Sequence, residues 1–210
     1  MTSEIAQMGE MSPPAKLKKT VKVPKKISAS YLENSGLYYL QRFPSSVANF
    51  RRVMRMKIKK SITHHKTPTF DEAHDWLEEL ITRLCDLGYL NDPAYAKGLT
   101  RSLKNRGSSK AKIAAKLYEK GIPEELKNPL LETIDGTAEK RAALTYLQKK
   151  RKGPFAKDAE DYEAQQKTLG GLARQGFSYE ISASVLEMDA SQAEAYLENT
   201  YQFSDDFLNT

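Results

Sequence analysis

"DLGYLNDPAYAKGL", residues 86–99, ends one helix and starts the next with almost no loop between them. Leu84 and Leu87 close a leucine stripe, and Gly88 follows where a left-handed helix cap needs glycine. Tyr89 and Leu90 are placed to fold back on that helix end, and Asp92 before Pro93 reads as an N-cap with a first-turn proline. So short a connection packs consecutive helices as a corner within one body. On this reading Gly88 sets the angle between the units on either side of it.

The same grammar runs outward in both directions. Upstream, Thr69-Phe-Asp-Glu72 is a capping box, and Ala73, Leu77, Leu80, Leu84 and Leu87 recur at helical spacing with Trp76 beside them as a core residue. Further upstream, "ASYLENSGLYYLQRF" reads as a helix interrupted at Gly36 and ended by Pro44. In "SVANFRRVMRMKIKKSI" the residues Val47, Phe50, Met54 and Ile58 mark one apolar face. "THHKTP" reads as a linker.

Downstream, Tyr95, Leu99 and Leu103 form the stripe of a helix that stops at Gly107. Ser109 caps the next, with Ile113 and Leu117 inward and Gly121 as its stop. A helix starting at Pro123 contains Pro129, which should kink or shorten it. Later helices are expected up to Gly153-Pro154, up to Gly176, after Ser178, and from Ser191 to Tyr201. The phrase leucine, three residues, glycine, bulky apolar occurs at Leu84–Tyr89, Leu117–Ile122 and Leu172–Phe177. No strand-like alternation of useful length occurs, so the chain is expected to be all-α.

This implies a basic arm at 1–27, disordered because it holds six lysines, three prolines and few large apolar groups. Three-helix units follow at 28–90, 91–135 and 136–190, with a C-terminal helix and tail at 191–210.

Charge is uneven. The net +6 divides into +10 over residues 1–60 and −4 over the other 150. A basic front end points to a polyanion or an acidic protein surface as partner. Arg51, Arg55 and Lys59, with Arg52 adjoining, form a stripe beside the apolar face of their helix, and no acid stands in that arc. Arg101, Lys104, Arg106 and Lys110 make a second basic group, and Lys149, Lys150, Arg151 and Lys152 a third. The third group also suits a helix C-terminus for electrostatic reasons alone.

Catalytic signatures are missing. There is no P-loop or dinucleotide fingerprint, and Gly170-Gly171 is a lone pair inside a helical pattern. His74 and Cys85 share a helix face but lie eleven residues, roughly 16 Å, apart, too far for one metal. His64 and His65 lack partners at ligand spacing. No nucleophile has a base beside it, so neither an enzyme nor a cofactor is expected. The single cysteine cannot form an internal disulfide, and no run of about 18 apolar residues or signal-like N-terminus occurs, so a reducing cytoplasm is expected.

The ordered phrases resemble the RecX regulatory proteins of bacteria. "LCDLGYLNDPAYAKGLTRSLKNRGSSKAKIAAKLYEKGIPEEL" is similar to the centre of that family, through Leu87, Gly88, Tyr89, Leu90, Asp92, Arg101, Arg106, Gly107, Lys120, Gly121 and Ile122. "YLQRFPSSVANFRRVM" resembles its first unit, and "GPF" with "ARQGFSYEISASVL" its last. The resemblance implies tandem three-helix modules in an elongated, curved chain. It also implies a non-enzymatic monomer that binds the RecA–DNA filament, inhibits ATP hydrolysis and strand exchange, and so modulates recombination, repair and the SOS response. Contacts to single- and double-stranded DNA of low specificity and nucleoid association through the partner go with it. The long "SITHHKTPTF" segment, Pro129 and the basic arm depart from the family pattern. The competing reading is a helix-turn-helix-like regulator acting on DNA alone, since three-helix units with short turns fit both.

Overall fold

The computed structural model describes residues 23–157 and 161–205, with side chains up to 199. Ten α-helices and one 3₁₀ turn make up the described residues, and none of these forms a strand. The disordered-arm expectation for residues 1–22 lies outside the described residues.

The helices group into three cores. α1 (Ala29–Arg42), α2 (Val47–His65) and α3 (Phe70–Asp86) enclose Leu32, Phe50, Met54, Ile58, Leu77 and Leu84. α4 (Asp92–Asn105), α5 (Lys110–Glu119) and α6 (Glu124–Glu132) enclose a smaller set, Ala96, Ile113, Leu117, Ile122 and Ile134. α7 (Gly136–Lys150), the 3₁₀ turn Gly153–Phe155, α8 (Tyr162–Arg174), α9 (Tyr179–Leu186) and α10 (Ala190–Asp205) surround Leu144, Leu147, Leu172 and Val185. Ala193 and Leu197 of α10 are buried in that third core. The C-terminal helix, expected as an appendage, is therefore a fourth wall of the last unit.

Several local expectations change in the structure. Residues 23–27, expected as part of the arm, are docked. Ile27 is 2% exposed in the first core, its N–H donates to Ser61 Oγ, and Ser61 Oγ donates to the Lys25 carbonyl. One apolar side chain and the hydroxyl of Ser61 suffice to hold this stretch. α1 runs unbroken through Gly36, whose missing Cβ makes room for the Phe50 ring: a Cβ there would lie 2.9 Å from Phe50 Cζ. α2 continues to His65, so Thr63–His65 are helical and the connection is shorter than read. α6 holds Pro129 and, as expected, is short: nine residues that end before Ile134, none of them buried. α7 stops at Lys150, with Arg151 rather than Gly153 as its left-handed cap.

The opening corner is also rearranged. Asn91, not Asp92, caps α4 by accepting from the Ala94 N–H. Leu90 folds back under α3 and is buried, but Tyr89 is 60% exposed and Leu87 faces outward; Ile81 takes the inward place on that stripe. On α4 the fully buried positions are Ala96 and Thr100, while Tyr95, Leu99 and Leu103 are only partly covered.

The units meet at two seams built alike. At the first, Ser46 caps α2 by accepting from the Asn49 N–H and donates its own hydroxyl hydrogen to the Lys120 carbonyl at the end of α5. Asp92, freed from capping duty, accepts from the Val47 N–H at 2.8 Å. At the second, Ser109 caps α5 by accepting from Lys112 N–H and donates to the Gln175 carbonyl at 2.6 Å, at the end of α8. Glu139 accepts from the Lys110 N–H at 2.9 Å. The glycine after each accepting carbonyl closes the seam. A Cβ on Gly121 would fall on Ala48 Cβ, and one on Gly176 would stand 3.1 Å from Ala111 Cβ.

Two of the orphan N–H groups at each helix start are thus met by one hydroxyl and one carboxylate, and that hydroxyl also ties down the next unit. Ser109→Ala removes a cap and leaves the Gln175 carbonyl without its donor in a closed seam. A loss of about 1–2 kcal/mol is expected, read as a lower urea midpoint, with helix content unchanged.

Candidate functional site

α2 carries the first basic group because its inward face is fixed by Phe50, Met54, Ile58 and Ser61. That orientation turns Arg51, Arg52, Arg55 and Lys59 to one side, where they line a groove of about 610 Å³ with Ala48, Met56 and Phe70. Its lining thus combines apolar side chains with four cationic ones. Phe70 starts α3 and is 48% exposed, and Ala48 is the residue pressed against Gly121. The groove therefore reaches from the N-terminus of α3 to the first seam. Met56 and Phe70 were not singled out in the sequence. A lone aromatic inside a capping box gives no sign that it will flank another helix.

The absence of acid from this arc holds only along α2. Glu78 crosses from α3 and takes Arg51 in a two-pronged ion pair, with Nε–Oε1 and Nη2–Oε2 both at 2.8 Å. Its bond to Arg51 holds the Glu78 carboxyl below the ordinary carboxylate range and the Arg51 guanidinium above its own. Arg55 Nη2 lies 3.3 Å from His74 Nε2, and Arg52 Nη2 donates to Asn49 Oδ1. Arg51 thus serves the fold first, while Arg52, Arg55 and Lys59 bring charge that no acid of their own helix balances.

The Arg51–Glu78 pair predicts a pH signature. Glu78 is over a third exposed, so solvent screening leaves it about 0.5 kcal/mol. A lowered folded pKa makes that contribution complete above the unfolded value of about 4 and lost as pH falls through the lower one. Glu78→Gln should lower the urea midpoint slightly at pH 7, with the difference from wild type shrinking as pH falls below about 4.

The second and third basic groups come together at the second seam. Lys149 on α7 donates to the Arg106 carbonyl at 3.1 Å, beyond the end of α4. Gly107 lies against α7, where a Cβ would stand 2.8 Å from the Ala142 carbonyl oxygen. Arg101, Lys104, Arg106, Lys150, Arg151 and Lys152 are exposed. Lys110 is not part of an open face: its ammonium donates to the Ile134 carbonyl. Arg106 leans on Ser102 Oγ at 2.6 Å.

Among the described residues no three of His, Cys, Asp or Glu converge as a metal site, and no helix is long and apolar enough to cross a membrane. His65 faces the Pro24 carbonyl at 2.6 Å. Burial and the carboxylates of Asp92 and Asp86 push the Cys85 thiol up, opposite to what a nucleophile requires.

Residues 91–127, which span α4, α5 and the first turn of α6, match the family model described as "RecX, second three-helix domain". A "Regulatory protein RecX" of Myxococcus xanthus is 36% identical over 177 residues, covering 83% of this chain and 94% of that protein. One from Agrobacterium fabrum is 28% identical over 168 residues, covering 80% and 88%. Among solved structures, RecX from Lactobacillus salivarius superimposes with a TM-score of 0.53 at 24% identity, covering 76% of this chain and 94% of that one. At that identity the likeness concerns the fold.

Proposed function

This chain belongs to the RecX family of regulatory proteins, and from that premise we propose that it binds the RecA recombinase–DNA filament and inhibits its ATP hydrolysis and strand exchange. The observation that carries the reading is the α2 groove, which combines apolar side chains with Arg52, Arg55 and Lys59 next to a tightly closed seam. Such a mixed lining suits an acidic protein surface better than bare phosphate, because Met56 and Phe70 gain nothing from a phosphate backbone. The exposed cations at the second seam give a further contact along the row, and their spacing is held by the seams. Catalysis has no part in this reading, since regulation here is occupancy of the partner's surface. Modulation of recombination, repair and the SOS response follows from it, at the nucleoid where the partner is found.

The test is hydrolysis of ATP by the recombinase on single-stranded DNA, titrated with this protein. Inhibition that saturates near one protein per few recombinase subunits supports the reading. The alternative, a DNA-binding regulator without a recombinase partner, requires that affinity for bare duplex equal affinity for the filament and fall steeply with salt.

A further inference from the structure

A second cleft lies on the other flank of α2, between it and the end of α1. It measures about 220 Å³ and is lined by Tyr38, Tyr39, Arg42, Phe43, Val53 and Lys57 among others. Two of its aromatic rings are open to solvent, Tyr38 at 60% and Phe43 at 55% exposure. Arg42 lies over the Tyr38 ring, 5.3 Å from its centroid, and is fixed there by a 2.7 Å bond from Nη1 to the Tyr38 hydroxyl. Tyr39 supports Phe43 from behind, ring to ring at 5.5 Å. Lys57 and Lys25 reach over Tyr31 from 5.0 and 5.8 Å, extending the cationic edge toward the docked N-terminal stretch.

Among the described residues no acid lines this cleft. α2 contains none, and the one acid of α1, Glu33, is taken by Arg83 of α3 at 2.6 Å. Exposed aromatic faces interleaved with uncompensated cations are the combination that holds unstacked bases and their phosphates. The cleft is too small for a helix or a duplex groove, and a paired base offers no open face to stack on.

We propose that the α1–α2 cleft is a binding site for single-stranded nucleic acid, with Tyr38 and Phe43 stacking on bases and Arg42, Lys57 and Lys25 holding the phosphates. The site is separate from the α2 groove. It deepens the filament reading by giving the protein a hold on the single strand, but its occupancy requires no recombinase.

The test uses the full chain and a fluorescent oligo-dT of about 20 nucleotides, followed by anisotropy at two salt concentrations, with a duplex of equal length beside it. Tyr38→Ala with Phe43→Ala should weaken oligo-dT binding about tenfold or more and leave duplex binding within about twofold, since duplex contacts are electrostatic alone. Phe43→Tyr keeps both ring faces and the Arg42–Tyr38 bond and should leave single-strand affinity unchanged, whereas Phe43→Leu, which keeps apolar bulk but no flat face, should weaken it. Equal losses on single strand and duplex, no loss on either, or absence of oligo-dT binding by the wild type would each overturn the proposal. Recombinase inhibition measured on the same variants keeps the two readings apart, because a wild type that binds oligo-dT through these rings yet leaves ATP hydrolysis untouched sinks only the filament reading.

Discussion

Gly121→Ala should lower the melting temperature by about 10 °C, while Gly88→Ala lowers it by only about 2–6 °C. Both glycines are left-handed, with φ of 69° and 75°. Both substitutions therefore place a Cβ in a conformation that costs about 1–2 kcal/mol. They differ in what the Cβ meets. Around the Gly88 Cβ position no described residue beyond its chain neighbours lies within 4 Å, whereas at Gly121 the new methyl falls on Ala48 Cβ in the seam between the first two units. Overpacking of a closed site adds about 1–3 kcal/mol. It must also spread the hydrogen bond from Ser46 to the Lys120 carbonyl and strain the one from Val47 to Asp92. The sequence suggested Gly88 as the residue that sets the angle between units; Gly88 is left-handed as expected, while the close contacts across the seams are made at Gly121 and Gly176. Thermal melts by circular dichroism with small-angle scattering decide it. Equal destabilisation at the two positions, or unchanged dimensions for Gly121→Ala, would show that the seam is not the constraint.

Reversing Arg52, Arg55 and Lys59 to Glu should raise the concentration needed for half-inhibition of the recombinase by at least about tenfold. Each exposed charge contact contributes about 0.2–1 kcal/mol, and reversal replaces attraction with repulsion, so three together come to about 1–6 kcal/mol, against about 1.4 kcal/mol for one decade. Arg51 is left intact because its bond to Glu78 belongs to the fold, and reversing it sets two carboxylates face to face. The three chosen side chains line the outward groove, so stability should change by about 0.5 kcal/mol or less per site. Affinity for assembled filament should fall more than affinity for bare DNA. A parallel fall on both substrates with a steep salt slope would favour the DNA-only regulator. The matching variant at the second seam, Arg101, Lys104 and Arg106 to Glu, should also weaken inhibition. Full inhibition by both triple variants would remove the basic faces from the mechanism.

Helix existence, the capping serines and the left-handed glycines were legible in the chain itself, because each depends on interactions within a few residues. Leu117, Gly121 and Ile122 announce their corner without reference to the rest of the protein, and the Ile122 N–H indeed reaches the Leu117 carbonyl. The all-α class followed, and so did the basic side of α2, since 3.6-residue periodicity fixes what shares a face. Tertiary structure decided which of several local options was used. Asp92 and Asn91 were both able to cap α4; contact with the Val47 N–H across the seam claimed Asp92 and left the cap to Asn91. Gly36 reads as a break in isolation, but Phe50 from another helix fills the space that its hydrogen leaves. Glu78 neutralises Arg51 only because α3 lies against α2. The Phe70 wall of the groove and the cleft at Tyr38 and Phe43 likewise need two helices each. Such pairings join residues distant in sequence through side-chain reach and backbone direction, quantities that periodicity along a single helix does not encode.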